Sequence, residues 1–393
     1  MKKSFIKKNI LVINHSSVFG GATQSLMIYL KENLDYFNFI CLTPKGSSSR
    51  VLQENNIKTK IVIGFSQFNN NNFGYYKGFR WLVIFREITL FFYNIYFAFR
   101  SKIVLKSTDL ILLNDLTLLP VAVAFKFFFK CNIVSYVRSK QNENNTIRIK
   151  FQRYLINKYI DKLISIDHDV EKTLSKNLKI KKKILYNSFY VPTDYKKRKP
   201  HKKLNVGFVG NFTNSKGVEI LLNVIKKLKN NKNFYFYIVG PIPQKTNLFD
   251  IILKKIKIRE NYYDIFKKNE KELCKNSRFL GFRYKLDDFY KKIDLIIFPS
   301  YVSAAGRPVL EAGLYGSPSL LTLFKGDKND IIIDNYNGLH IKNNSSNDLI
   351  KKLLFLYRNK SFLHKLSVNA RSSSKKRFDI IKNKKIFRKI LHK

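Results

Sequence analysis

Two charged side chains in the second half of the chain follow short apolar runs, where a functional group is easily placed. Lys216 ends the loop NFTNSK after the run LNVGFV and precedes a helical pattern. Glu311 lies in RPVLEAGL, after the run DLIIF and a loop of small residues. A lysine at such a place can bind a phosphate group as a point charge. Glu311 alone predicts less, because a carboxylate one turn into a helix also stabilises the helix by about 0.3–1 kcal/mol.

The loop before Glu311 predicts an anion-binding helix start. We expect the helix to begin near Arg307 or Pro308, because proline suits a first helical turn. The backbone amides of Arg307, Val309 and Leu310 are then expected to point at an anionic ligand, next to Gly306. Earlier in this half, Gly210 ends the first apolar run and Asn211 follows it.

The first half carries a weaker signal of the same kind. Its first apolar run is followed by NHSSVFGGATQSL, in which Gly20 and Gly21 allow a close backbone approach and Thr23 or Ser25 is a candidate helix cap. A tight turn would look the same. Arg138 follows the run NIVSYV and either binds a phosphate group or is solvated.

Apolar runs of strand length alternate with longer helical patterns, which is typical of parallel sheets built from βαβ units. We therefore predict an α/β protein in which each half forms its own doubly wound parallel sheet, with a ligand cleft at the carboxyl ends of the strands. The predicted strands are 9–14, 38–43, 60–64, 109–113, 132–137, 162–166, 204–209, 234–239, 278–281, 294–298, 318–322 and 338–341.

The prolines and basic residues of YVPTDYKKRKPHKK predict a linker and a boundary near residue 195. The predicted domains are a first α/β domain over 1–195 and a second over 196–375, followed by a basic amphipathic helix over 376–393. The excursion 241–278 is longer than a simple connection needs, so we expect an inserted helical element there.

The segments VGNFTNSKG, FLGF, DLIIFPSYVSAAGRPVLEAGLYGSP and IIIDNYNGLHI occur in this order within residues 204–358. Together they resemble the carboxyl-terminal domain of retaining GT-B glycosyltransferases, most closely glycosyltransferase family 4. The resemblance implies two Rossmann-like domains that face a central cleft, an acceptor-binding domain over 1–195 and a nucleotide-sugar-binding domain over 196–375. It also implies that Lys216 binds the donor diphosphate, that Glu311 holds the ribose hydroxyls, and that the amides of the loop 304–307 meet the sugar and phosphate.

By the same resemblance the donor is a nucleotide sugar that acts as substrate, no cofactor or metal is required, and the anomeric configuration is retained. The sequence departs from the family at three places. Ser303 stands where a second glutamate is usual, Asn211 where an arginine is usual, and Arg138 where many relatives have a histidine. Ser303 can still hydrogen-bond a sugar hydroxyl, and Arg307 or Arg283 is a candidate for the missing positive charge.

Composition adds a strong charge bias. The 393 residues carry 74 Lys and Arg against 27 Asp and Glu, a formal charge of +47. This charge favours an anionic partner, or reflects a coding bias toward lysine. It is spread along the chain, so we expect no nucleic-acid partner. The three cysteines have no metal-type spacing and are expected to be reduced in the cytosol.

The most apolar segment, 79–100, is interrupted by charged residues and predicts no membrane span. On a helix Arg80, Glu87, Asn94 and Ser101 form one polar stripe, so most of the circumference must be hidden. It is either a helix sandwiched within the first domain or an interfacial helix on a bilayer.

Together these features predict a cytoplasmic, peripherally membrane-bound glycosyltransferase that acts on a lipid-linked or saccharide acceptor in bacterial surface polysaccharide synthesis. The alternative is an inactive GT-B relative that binds an anionic partner, either nucleic acid or membrane.

Overall fold

The structure is a computed structural model, and it describes residues 7–71, 82–105, 107–142, 146–194, 202–241, 266–267, 270–271, 273, 275–301, 305–324, 329–342 and 345–392. The chain forms two compact units. The first contains Met1–Tyr190 and Asp379–Lys393, and the second contains Val191–Phe378. The chain thus passes from the first unit to the second after Tyr190, near the predicted boundary at 195. The segment predicted as a separate helix over 376–393 joins the first unit instead. Residues 195–201 of the predicted linker and most of the predicted insertion lie outside the described residues.

The first unit is built on a parallel sheet of seven strands in the order β3-β2-β1-β4-β5-β6-β7. Its strands are β1 (Lys8–Ile13), β2 (Phe37–Pro44), β3 (Lys58–Val62), β4 (Leu110–Leu113), β5 (Asn132–Val137), β6 (Lys162–Ser165) and β7 (Lys181–Ile184). Its helices are α1 (Gly21–Lys31), α2 (Ser47–Glu54), α3 (Val83–Val104), α4 (Leu119–Lys126), α5 (Ile147–Tyr159), α6 (His168–Lys172) and α12 (Ile380–His392).

Helices cover both faces of this sheet, which is why the central strands are apolar throughout. One core layer joins the strands to α3, α4 and α5, and the other joins them to α1, α2 and α12. Strand β7 was not predicted, because its sequence KKKI lacks an apolar run. It lies at the sheet edge, where only β6 pairs with it and lysine side chains remain solvated.

Helix α12 confirms the predicted basic amphipathic helix at the end of the chain. Its apolar side packs on α1, with the Phe387 ring stacked 5.0 Å from that of Tyr29. Its basic side binds the end of α1, where Lys384 lies 2.9 Å from a carboxylate oxygen of Glu32 and Arg388 donates to Asn33. This helix therefore completes the core of the first unit.

The second unit is built on a parallel sheet of six strands in the order β10-β9-β8-β11-β12-β13. Its strands are β8 (Leu204–Val209), β9 (Phe234–Val239), β10 (Ser277–Phe279), β11 (Leu295–Phe298), β12 (Ser319–Leu323) and β13 (Gly338–Lys342). Its helices are α7 (Val218–Lys227), α8 (Asp287–Lys292), α9 (Arg307–Leu314), α10 (Ser346–Arg358) and α11 (Lys360–Phe378).

Helix α3 has an unexpected orientation. Its polar residues Glu87, Asn94 and Ser101 are buried, whereas the side chains of Phe85 and Phe92 are exposed by 68% and 66%. The alternative of a helix sandwiched within the first domain is therefore wrong, whereas the interfacial helix stays a prediction. Within the described part of the chain, no helix combines the length and the apolar content needed to cross a membrane.

Candidate active site

The candidate donor site lies at the point where the strand order of the second sheet reverses. From β8 the chain proceeds outward to β9 and β10, and it then returns to place β11 on the other side of β8. Lys216 follows β8, and the loop before α9 follows β11. Open parallel sheets bind ligands at the carboxyl ends of the two strands that flank such a switch point. The structure thus brings together the elements that carry Lys216 and Glu311.

The Lys216 loop is fixed to the end of β11. Lys216 ends a short 3-10 turn (Asn214–Lys216), and Gly217 follows with φ +70°. A Cβ atom on Gly217 would lie only 1.7 Å from the carbonyl oxygen of Pro299, so only glycine fits there. The Ser300 hydroxyl donates to the Ser215 carbonyl oxygen over 2.7 Å. These contacts hold the lysine beside the next strand.

The Phe298 ring joins the two halves of this site. The Lys216 ammonium nitrogen lies 5.3 Å from the centre of the ring. On the other loop, a Cβ atom on Gly306 would lie 2.5 Å from the same ring, so the backbone of Gly306 packs directly against it. Burial lowers the pKa of Lys216 from 10.5. A bound anion would stabilise the charged form that burial disfavours.

Glu311 is held by two neighbours. Arg307 Nε lies 2.8 Å from Glu311 Oε1, and the Tyr290 hydroxyl donates to Oε2 over 2.7 Å. Both members of the ion pair are largely buried, with side chains exposed by 10% and 15%. Burial, and next to it Glu311, raises the pKa of Tyr290 well above its usual value, so the phenol remains a donor. Tyr290 comes from α8, and sequence reasoning missed it.

The start of α9 differs from the prediction in two respects. The helix begins at Arg307 after an extended Gly306, as expected. The Val309 amide, however, already donates to the Gly306 carbonyl oxygen over 2.9 Å, which corrects its assignment as a free donor to an anion. The Arg307 side chain is paired with Glu311, which corrects its assignment as a replacement cation. Ser303 and Ala304 lie outside the described residues, and no interaction is assigned to them.

The remaining donor-side residues have structural contacts. The Gly210 amide donates to the Val239 carbonyl oxygen over 3.0 Å, and the Asn211 carbonyl oxygen accepts from the Thr213 amide over 2.8 Å. Leu310 is buried. Arg283 is exposed and donates to the Leu280 carbonyl oxygen over 3.3 Å.

The first unit carries a polar network at its own switch point, between β1 and β4. Arg138 Nε donates to the Asn114 carbonyl oxygen over 2.7 Å, and the guanidinium also binds the Asn114 side chain. The Asn114 amide donates to Asn14 Oδ1 over 2.9 Å. Arg138 is therefore bound in a network and is not simply solvated. Sequence reasoning did not select Asn14 and Asn114, although each directly follows an apolar strand.

Gly20 and Gly21 lie at the start of α1, next to this network. Gly20 is the N-cap in extended conformation, Gly21 is the first helical residue, and a side chain added at Gly20 would meet open space. Neither Thr23 nor Ser25 caps the helix, which corrects that prediction. Thr23 is instead a buried helical residue whose hydroxyl donates to Asn14 Oδ1 over 3.3 Å.

A pocket of about 270 Å³ opens beside the ends of the central strands of the first unit. Leu116, Gln141 and Thr173 line it from the loops after β4, β5 and β6, and Gln152 and Arg153 line it from α5. The lining mixes apolar side chains with amides, two hydroxyls and cations. Such a surface fits a polar or anionic ligand with an apolar part.

The comparison with known proteins agrees with this architecture. Residues 193–373 match the family "Glycosyl transferases group 1". The structure of Anabaena HepE in complex with UDP and glucose superposes with a TM-score of 0.72 at 18% identity, covering 98% of this chain and 99% of that one. The chain has the GT-B fold. The retaining mechanism and the assignment to glycosyltransferase family 4 stay predictions.

Two curated sequences are related to part of this GT-B chain. An uncharacterized glycosyltransferase of Methanocaldococcus jannaschii is 30% identical over 225 residues, which is 55% of each chain. An uncharacterized 41.2 kDa protein in the cps region of Klebsiella pneumoniae is 24% identical over 243 residues, which is 58% of this chain and 60% of that protein. The chain thus matches little more than half the length of either relative.

Proposed function

We propose that the protein is a retaining glycosyltransferase that moves a sugar from a nucleotide-sugar donor to a lipid-linked or saccharide acceptor. The observation that carries this proposal is the meeting of Lys216 and the Glu311 helix at the switch point of the second sheet, inside residues that match the glycosyltransferase family. Anabaena HepE, which has the same fold and was solved with UDP and glucose, supports a nucleotide sugar as the donor class.

Glu311 is the proposed ribose ligand. A carboxylate offers about four positions to hydrogen-bond donors. Tyr290 takes one as a hydrogen-bond donor, and the Arg307 guanidinium covers a second as an ion pair. Two positions are left for the two ribose hydroxyls, and the two buried neighbours fix the plane of the carboxylate before the nucleotide arrives.

Lys216 is the proposed diphosphate ligand. Cleavage of the bond between the anomeric carbon and phosphate leaves a nucleoside diphosphate, whose growing negative charge must be stabilised. The Lys216 ammonium and the positive end of the α9 dipole supply the opposite charge, and we propose that no metal is needed. The acceptor hydroxyl adds to the anomeric carbon on the face that the diphosphate leaves and passes its proton to the departing phosphate oxygen, so the configuration is retained.

The first unit is the proposed acceptor side, with the Arg138 network, the start of α1 at Gly20 and Gly21, and the pocket beside α5. An acceptor with an apolar part and a phosphate group would suit the pocket lining. The Klebsiella relative in the cps region supports a role in bacterial surface polysaccharide synthesis. We place the protein at the cytoplasmic face of the membrane as a peripheral protein.

The test is release of nucleoside diphosphate from a panel of UDP- and GDP-sugars, with lipid-linked acceptors, in the presence and absence of EDTA. Lys216→Ala and Glu311→Ala are each expected to lower turnover by about 100-fold or more. Lys226→Ala and Glu219→Ala, two exposed positions on α7, are the matched controls and should retain activity.

Failure to turn over any donor would refute the enzyme. If UDP or GDP then still binds in calorimetry, and binding depends on Lys216 and Glu311, the chain is an inactive relative in which Ser303 has replaced a required glutamate. Loss of turnover with EDTA would refute the metal-free reaction alone. The anomeric configuration of the product, determined by NMR, tests retention.

A further inference from the structure

Helix α3 presents an apolar stripe to solvent. Its members recur at intervals of three and four residues, so they lie on one side of the helix and span about 27 Å. They are Phe85, Ile88, Phe92, Tyr96, Phe99 and Ile103, each about half exposed or more. Single exposed apolar residues need no explanation, but a continuous stripe of this length indicates a binding surface.

The polar contacts of α3 fix this orientation. Asn94 accepts from the Ser66 amide over 2.8 Å and donates to the Gly64 carbonyl oxygen over 3.0 Å. Glu87 accepts from the Gln67 amide over 2.6 Å. Turning the apolar stripe inward would break these hydrogen bonds and leave buried backbone groups unsatisfied, which is costly. The apolar side therefore faces outward as a result of the fold.

The charges around the stripe are almost all of one sign. Helices α3, α4 and α5 form one layer on the sheet, and their only acidic residue is Glu87, which is buried. Phe127, Phe151 and Tyr154 extend the exposed apolar surface across the same layer. Its cations are Arg86, Arg100, Lys102, Lys126, Arg148, Lys150, Arg153 and Lys158.

We propose that this layer is the membrane-docking surface of the protein, with α3 lying along an anionic bilayer and its stripe in the boundary between headgroups and acyl chains. A long apolar stripe flanked by many cations matches the charge and polarity of such a surface, in which the one exposed acid recorded beside these helices, Asp161, is paired with Lys126. A second copy of the chain fits poorly, because it would bring the same cations against each other.

Docking would also place the bilayer next to the candidate acceptor pocket. The loop that α3 holds, residues 63–71, reaches α5 at its other end. Asn70 donates to Gln152 Oε1 over 2.6 Å, and Arg148 donates to the Asn69 carbonyl oxygen. Gln152 lines the pocket. The loop thus connects the two features, because α3 binds one end of it and Gln152 binds the other. A lipid-linked acceptor would have a short path from the bilayer to the pocket; this part of the inference rests on the proposed function.

The experiment is co-sedimentation of the full chain with vesicles of phosphatidylcholine, with and without phosphatidylglycerol, in the absence of any donor. We expect binding that requires the anionic lipid and weakens with salt. The double variant Phe85→Ser, Phe92→Ser should bind about tenfold more weakly or worse. The matched control is Ile381→Ser, Ile386→Ser, at two exposed positions of α12, and it should bind as the parent does. Far-UV circular dichroism and the melting temperature check that each variant folds.

Absence of vesicle binding by the parent chain would overturn the proposal, and so would equal losses in the α3 and α12 variants. A parent dimer that the α3 variant converts to a monomer, without vesicle binding, would assign the stripe to a second copy. Binding to RNA in place of vesicles would also overturn it. Co-sedimentation measures no turnover, so it tests the docking surface separately from the enzyme. A chain that binds vesicles but releases no nucleoside diphosphate in the activity assay would refute only the proposed function.

Discussion

The Tyr290 hydroxyl donates a 2.7 Å hydrogen bond to Glu311 Oε2, the oxygen opposite the one that Arg307 binds. The carboxylate that we assign to the ribose is thus oriented by a residue from the preceding helix, 21 positions earlier in the chain. Removing that hydroxyl changes the orientation of Glu311 and leaves its charge in place.

We therefore expect Tyr290→Phe to weaken UDP or GDP binding by about tenfold, as for loss of one hydrogen bond to a charged group. The KM of the donor should rise more than kcat falls, because the contact is made before reaction. Isothermal titration calorimetry and initial rates measure both. Tyr357→Phe removes a hydroxyl that binds Asn233 elsewhere in the second unit and serves as the control. Equal effects of the two changes would contradict an orienting role.

Replacement of Lys216 should have opposite effects on the stability of the second unit and on nucleotide binding. Burial lowers the pKa of Lys216 in the folded state, so the charged ammonium reduces the free energy of unfolding. This destabilisation is fully present below the folded pKa and disappears as the pH rises from that pKa to 10.5. At neutral pH, Lys216→Met should raise the free energy of unfolding of the second unit by about 0.5–2 kcal/mol while it abolishes nucleotide binding. Urea denaturation and calorimetry measure the two. A destabilised variant would show that the lysine is mainly structural.

Because of the buried His15, which follows β1, the first unit should become less stable in acid. Burial lowers its pKa from 6.5, Arg138 lowers it further and Asp115 opposes the shift. Because the unfolded chain then binds the proton more tightly, stability is intact above about pH 6.5 and falls as the pH decreases below it. The urea midpoint of the first unit should drop between pH 7 and pH 5, and His15→Gln should reduce that drop. An unchanged drop in His15→Gln would assign the acid sensitivity to other groups.

The last helix should stabilise the first unit. Phe387 is fully buried and stacks on Tyr29, so Phe387→Ala should cost about 3–5 kcal/mol of unfolding free energy. Its neighbour Ile386 is 44% exposed, and Ile386→Ala should be nearly neutral. Proteolysis of both variants identifies the unit that is weakened. If Phe387→Ala exposed cleavage sites only within Val191–Phe378, the assignment of α12 to the first unit would be wrong.

Sequence patterns predicted the two parallel sheets because buried parallel strands are apolar throughout, as in LILL of β4 and LIIF of β11. They failed for β7, where an edge position tolerates KKKI. The stripe of Glu87, Asn94 and Ser101 was visible, but periodicity cannot tell which side of a helix faces the core when inward polar groups have backbone partners. That information is in the contacts with the loop at residues 63–71, which the periodicity of α3 alone does not contain.

The candidate site shows the same division. Lys216 and Glu311 were selected because each follows a strand at a predictable place, and their roles stay predictions. Tyr290 and Phe298 were not, because the hydroxyl that binds Glu311 and the ring under Lys216 act through contacts that only packing creates. The pairing of Arg307 with Glu311 was likewise open to sequence reasoning only as an i,i+4 spacing.

The chain leaves the first unit after Tyr190 and returns at Asp379, where the Ile380 amide donates to the Phe189 carbonyl oxygen over 3.1 Å. During synthesis, the second unit is complete once Phe378 has left the ribosome, whereas the first still lacks the helix that covers Tyr29 and Phe37. The usual order, in which the amino-terminal domain finishes folding first, is therefore reversed. Until α12 has emerged, the first unit therefore retains an open apolar surface that includes Tyr29 and Phe37.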